Sequence, residues 1–195
     1  MWAAVLGSAA YGALYLYKAE GTRFVPPVHA QQSASETDGP IVGRVTGNAY
    51  SSAGQVADGT VIGSVSVPKL KLKVAIVEGL TKDDLLRGVG HVPGSATAGG
   101  LGNMALAAHR DTFFRPIRNV APGMDLLVDS AEGTYRYRVA STEIVTPEQV
   151  SVLDIGTVPE LTLITCYPFN YIGAAPKRFI VHAQLTSLVP EQAPR

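Results

Sequence analysis

Polar and apolar residues alternate along Lys69-Leu-Lys-Leu-Lys-Val-Ala-Ile-Val77, putting Leu70, Leu72, Val74 and Ile76 on one face and Lys69, Lys71 and Lys73 on the other. A period of two is that of a half-buried strand. It recurs in Tyr135-Arg-Tyr-Arg-Val139, with the tyrosines and the valine facing in and the arginines out. Apolar runs bounded by glycine and proline predict strands over 103–109, 124–129, 134–145, 161–166 and 178–186. Thr81–Arg87 reads as one short helix, with Thr81 as N-cap and Asp83 and Asp84 in the first turn. Gly88–Gly102 reads as a glycine and proline loop. Short strands, frequent turns and so little helix predict an all-β domain, a closed β-barrel rather than a layered α/β sheet. The head is expected to span 60–187, with 188–195 as a C-terminal tail.

Ahead of the head the pattern changes. Trp2 to Tyr17 is almost wholly apolar. As a helix it spans about 24 Å, slightly less than a bilayer core of roughly 30 Å. Tyr11, Tyr15 and Tyr17 suit a membrane interface, and Lys18 and Arg23 end the run. Residues 1–19 therefore read as a membrane anchor or signal-like segment, without a basic lead before it. Pro26-Pro27, Gln31–Ser35 and the Gly/Ser/Asn mix that follows bury little, so 20–59 reads as a flexible spacer.

Sixteen basic and sixteen acidic residues cancel, leaving no basic field for nucleic acid and no acidic tail. A single cysteine excludes an intrachain disulfide and every multi-cysteine metal motif.

That cysteine, Cys166, ends the run Leu161-Thr-Leu-Ile-Thr-Cys166, with Pro168 two residues on. His109 ends a second predicted strand and Arg178 begins a third. A thiolate is a nucleophile. An imidazole can take its proton and later return one to a leaving amine. A guanidinium stays charged and can hold an oxyanion or a peptide backbone. The spacing is not local, so the three groups meet only if their strands are neighbours with the relevant ends at one rim. The plain alternative is a non-catalytic barrel module in which Cys166 is a small buried filler. His182 shares a strand face with Arg178 but lies about 13 Å deeper. His91 is expected in a turn, bonded to a loop. His29 lies in the spacer and receives no role. Asp111 is close enough in sequence to orient His109 or pair with Arg110, and a structural role is favoured.

These residues resemble the sortases. Thr162-Leu-Ile-Thr-Cys166 fits their Thr-Leu-x-Thr-Cys signature. Ala108-His-Arg-Asp111 is similar to their Gly-His-Arg-Asp segment, with alanine for glycine. Gly90-His-Val-Pro-Gly-Ser95 leading to Gly102-Asn103, and Lys177-Arg178-Phe-Ile-Val181, match in order. The resemblance covers about 60–186 and is strongest to the class D-like members; no pilin-class aromatic lid motif is present. It implies an eight-stranded barrel, anchored outside the cytoplasmic membrane, that cuts a Leu-Pro-x-Thr-Gly-like sorting signal after threonine. Cys166 would form the thioester, His109 would carry protons, and Arg178 would stabilise the oxyanion or position the peptide. The acceptor would be an amine of a cell-wall precursor or a pilin lysine. The groove would be bordered by 146–160 and by Tyr167–Lys177, with Thr165, Ala108, Tyr167 and Pro176 as substrate-side residues. No metal ligands and no organic cofactor are implied, and a calcium requirement is left open.

Overall fold

The computed structural model describes residues 56–154 and 156–190. The expected anchor, the spacer up to Gln55 and tail residues 191–195 lie outside them. Among the described residues no helix is long and apolar enough to cross a membrane.

Eight strands form the domain: β1 (Val61–Val67), β2 (Leu72–Glu78), β3 (Val89–His91), β4 (Asn103–Ala107), β5 (Asp125–Ser130), β6 (Gly133–Val145), β7 (Glu160–Tyr167) and β8 (Lys177–Pro190). They close in the order β1-β2-β3-β4-β7-β8-β6-β5, bearing out the expected all-β eight-stranded barrel. The β2–β3 and β4–β7 ladders are parallel, and the others are antiparallel. β8 runs to Pro190, past the expected end of the head at 187.

The alternating patterns hold where they were read. Tyr135, Tyr137 and Val139 are buried, while Arg136 and Arg138 are exposed and pair with Asp125 across the β5–β6 ladder at 3.4 and 3.2 Å. Leu72, Ile76 and the half-buried Leu70 and Val74 pack on the interior cluster, and Lys69, Lys71 and Lys73 are exposed. The expected strand over 69–77 is nevertheless interrupted. Pro68–Leu70 forms a 3-10 turn and Lys71 takes a left-handed φ of 52°, so β2 starts at Leu72. Proline supplies a fixed φ at the turn's start and no ladder donor.

The single α-helix among the described residues, α1, spans Lys82–Arg87 and is capped as expected. Thr81 Oγ1 accepts from the Asp84 N–H, and the Asp84 carboxylate accepts from the Thr81 N–H. The expected loop over 88–102 hides β3. Its glycines conceal the strand pattern and exist because space is short: a Cβ on Gly90 would come within 2.5 Å of the Gly79 carbonyl and 2.7 Å of Leu80. His91 is thus a buried strand residue, not a turn residue. It contacts Glu78 Oε2 through Nδ1 at 2.7 Å, and Nε2 meets Ser95 Oγ and the Ala96 carbonyl. The loop after β3 is held from inside by this ring.

Two apolar clusters share the strands. Inside the barrel lie Met104, Leu106, Ala108, Leu161, Leu163, Val181 and Ala183, with Phe114 and Ile117 filling one end. On the outer face of the same strands lie Ala105, Ala107, Ile164, Ile180 and Val145, beside Leu80 and Leu85 of the α1 region. Alternation of side chains across the sheet sorts one set from the other.

Candidate active site

Three adjacent strands, β4, β7 and β8, set the site through register. β4 and β7 run parallel from Asn103↔Glu160 to Ala107↔Ile164. The same 57-residue offset continues past the ladder, where the Thr165 hydroxyl donates to the Ala108 carbonyl at 2.7 Å. His109 follows Ala108 directly, just past the end of that ladder. On the other side Cys166 pairs with Arg178, and Arg178 with Val145 of β6. His109, Cys166 and Arg178 share the parity of Ala107, Ile164 and Ile180, so all three belong to the outer face. The register thus pairs Cys166 with Arg178 and brings the exit of β4, where His109 follows, beside the end of β7.

Arg178 Nη1 lies 3.9 Å from Cys166 Sγ and also donates to the carbonyls of Ala175 and Lys177 at 3.1 and 2.9 Å. These bonds fix the guanidinium at the strand's first turn. His109 is half-buried, and its carbonyl accepts from the Phe114 N–H at 3.1 Å. Phe114 and Ile117 are fully buried, so the turn leaving β4 is anchored in the core just beyond the histidine. Among the described residues no hydrogen bond joins the imidazole to the sulfur. Catalytic contacts of this kind commonly tighten only when substrate is bound.

The electrostatics favour a neutral resting pair. Burial pushes the Cys166 thiol up, against the pull of Arg178, of Arg110 and of the Ala175 N–H. Burial pushes His109 down, opposed by Asp111 and reinforced by Arg110. Each shift favours the uncharged form, so thiolate–imidazolium is the minor form of the pair. With Cys166 only 4% exposed, attack needs an approach from the groove side.

A shallow groove opens on the outer face beside Arg178. Ala107, Ile164 and Ile180 are its floor, Val145 and the 146–153 segment one wall, Leu80 and Val92 the other, and Arg178 stands at one end. Asn103 Nδ2 donates to the Val152 carbonyl at 3.1 Å and ties the 146–153 wall to the sheet. The expected border at 146–160 is therefore present in its first half. No residue of Tyr167–Lys177 up to Lys177 lines this groove; that loop meets the sulfur through the Ala175 N–H instead.

Two of the expected substrate-side residues require correction. Thr165 is fully buried, on the interior side, with its hydroxyl spent on Ala108. Ala108 is 1% exposed and packs into the barrel core. Strand alternation turns both away from the outer face that carries Cys166, so neither side chain meets a ligand there. Their role is to lock the histidine strand to the cysteine strand. Tyr167 is half-buried, edge-on to Phe169 at 6.1 Å, and Pro176 is exposed on the loop. His182 pairs with Thr162, four residues from Cys166, and contacts Glu143 at 2.8 Å, away from the sulfur. Sequence reasoning passed over Arg110, whose guanidinium reaches the sulfur's surroundings. The available signal was a cation adjoining His109. Among the described residues no group of three or more His, Cys, Asp or Glu side chains is placed to hold a metal ion.

Comparison with known proteins gives this geometry a family. The Sortase domain model matches residues 65–186, more than half of the chain. Sortase D of Bacillus subtilis (strain 168) is 37% identical over 127 residues, covering 65% of this chain and 64% of that protein. Sortase A of Streptococcus agalactiae is 31% identical over 134 residues, covering 64% and 53%. The chain thus spans less than two thirds of either relative. A solved Clostridium perfringens Sortase D5 transpeptidase superposes with a TM-score of 0.62 at 25% identity, covering 68% of this chain and 83% of that one. Sortase E1 from Streptomyces coelicolor, solved with a tripeptide in its active site, gives 0.61 at 29% identity, covering 68% and 91%. Family model, sequence similarity and barrel fold agree, and the chain belongs to the sortase family.

Proposed function

We propose that this protein is a cysteine transpeptidase that cleaves a Leu-Pro-x-Thr-Gly-like sorting signal after threonine and passes the acyl group to an amine. The observation that carries the reading is the pairing of Cys166 with Arg178, Sγ to Nη1 3.9 Å, beside an apolar groove that Arg178 lines, with His109 just past the end of the adjoining strand β4. The groove suits the leucine and proline of such a signal, since its floor and walls are mostly aliphatic.

The chemistry follows from the side chains. The Cys166 thiolate, formed as its proton passes to His109, attacks the threonine carbonyl carbon. The carbonyl electrons move onto oxygen, and the Arg178 guanidinium stabilises that charge. As the C–N bond breaks, the imidazolium protonates the departing glycine amine, leaving a Cys166 thioester. An incoming amine then gives a proton to the imidazole and attacks the thioester, forming a new amide and releasing the thiolate. Water in its place gives hydrolysis. A cell-wall precursor or a pilin lysine fits the role of acceptor. Residues 1–19 would hold the enzyme at the membrane on a spacer, with the barrel outside the cytoplasm.

The test offers a library of short Leu-Pro-x-Thr-x peptides with a nucleophilic amine and reads products by mass. Transfer after threonine, lost in Cys166→Ala, is expected. A Cys166→Ala chain that still forms product would refute the role of the thiol. The rival reading of a binding module with a structural cysteine draws on the sulfur's 4% exposure. It requires that Cys166 resist alkylation in the folded protein, whereas His109-dependent labelling excludes it.

A further inference from the structure

Arg110 joins two parts of the site that otherwise meet only through the sulfur. It follows His109 directly, at the exit of β4. Its Nη2 donates to the carbonyl of Tyr171 at 2.7 Å and to that of Gly173 at 2.9 Å. Both carbonyls belong to the loop between β7 and β8, whose Ala175 carbonyl accepts from Arg178 Nη1 at 3.1 Å. The two bonds use one nitrogen of the five-donor guanidinium, whose positive charge also pulls the Cys166 thiol down against the effect of burial.

Phe169 holds the start of this loop by packing on Phe179 and the core, but the 170–174 stretch has little else to hold it. Tyr171 and Ile172 are exposed, the latter at 98%, and Gly173 has a φ of +94° that favours glycine. Its other hydrogen bonds are the weak Tyr171 N–H to the Pro168 carbonyl, at 3.3 Å, and the Arg178 bond to Ala175. A segment with few buried apolar contacts opens easily. Bonds from a charged donor are roughly twice as strong as neutral ones, so loss of Arg110 removes a main restraint.

We propose that Arg110 is a positioning residue of the site, tying the β7–β8 loop to the histidine end of β4. This inference rests on the reading of Cys166 as the reactive group. The charged and titratable groups around it are Arg178 from β8, Arg110, His109 and Asp111 from the exit of β4, and Glu148 from the groove wall, which faces Arg178.

The test uses the full chain in mild detergent, as wild type, Arg110→Met and Arg110→Lys. Two readouts need no substrate: the rate of Cys166 alkylation by iodoacetamide across pH, and amide hydrogen exchange over 169–175. Arg110→Met is expected to speed loop exchange about tenfold and to move the alkylation profile to higher pH, lowering the rate at neutral pH by roughly three- to tenfold. Arg110→Lys keeps the charge but not the fork, so its alkylation profile stays near wild type while loop exchange still rises. Peptide transfer by Arg110→Met falls in kcat more than it rises in KM. Wild-type exchange and an unshifted profile in Arg110→Met overturn the proposal. If that variant does not fold, Arg110→Lys decides: wild-type loop exchange there overturns it, and raised exchange upholds it. A wild-type chain that transfers no peptide yet shows both Arg110-dependent changes sinks the transpeptidase reading and leaves the positioning role standing.

Discussion

Inside the barrel, Leu106, Leu163 and Val181 meet at one level of β4, β7 and β8, each without exposure. One residue along each strand, Ala107, Ile164 and Ile180 form the floor of the groove, and two steps beyond them stand His109, Cys166 and Arg178. The same backbone therefore serves two faces with different demands. The inner face needs volume and shape, which several apolar residues can supply. The outer face needs particular atoms at one level, which only these residue types supply. Thr165 and Ala108 link the two: they are buried with the core, yet their hydrogen bond ties the exit of β4, just before His109, to β7 just before Cys166.

The sharpest way to separate the faces is Cys166→Ala. Transfer should vanish while the thermal midpoint stays within a few degrees of wild type, since only a sulfur is removed; peptide transfer and calorimetry on one sample check both. Collapse of the fold instead would make the outer face structural. Arg178→Met comes next, with a loss of about 10²–10³ in kcat for one oxyanion-stabilising group. Its folded fraction should remain high, and a kcat near wild type would remove Arg178 from the chemistry.

On the inner face, Leu163→Ala should cost about 2–5 kcal/mol of stability. Denaturant titration measures it, and the protein that remains folded should keep transfer. Thr165→Val tests the link itself. It strands a buried carbonyl at Ala108, costing about 1–3 kcal/mol, and should also slow transfer by loosening the imidazole. A change in stability alone would confine Thr165 to the core.

The smallest effect is in pH. Burial raises the thiol and lowers the imidazole, so the neutral pair persists over a wide interval between them. The profile of kcat/KM should be a broad bell, with its acid limb below the usual imidazole range and its alkaline limb above the usual thiol range. Arg110→Met, by removing a positive charge near both groups, should move both limbs upward. Limbs at ordinary values would show that neither group is buried in the working enzyme.

Much was legible in the order of residues because it depends on local rules. Alternation in Tyr135–Val139 set its inward and outward faces, Thr81 and Asp84 set the start of α1, and the apolar runs ending at Cys166 and beginning at Arg178 set two strands of the site. The site residues could be named because a lone thiol, an imidazole and a guanidinium at strand ends are chemically complementary. What depends on distance through space was hidden. β3 was missed because close approach to Gly79 and Leu80 demands Gly90, and glycine carries no strand signature. Thr165 and Ala108 were misassigned because parity about Cys166 has meaning only once the inner and outer faces are known. Arg110 was overlooked because its partners, Tyr171 and Gly173, are more than sixty residues away. Sequence alone therefore determined most of the strands and their amphipathic faces and nominated the candidate reactive groups, since these follow from periodicity and side-chain chemistry. Only the closed sheet decided which strands are neighbours, and so which groups stand level, because register is a property of pairs of strands and not of either one.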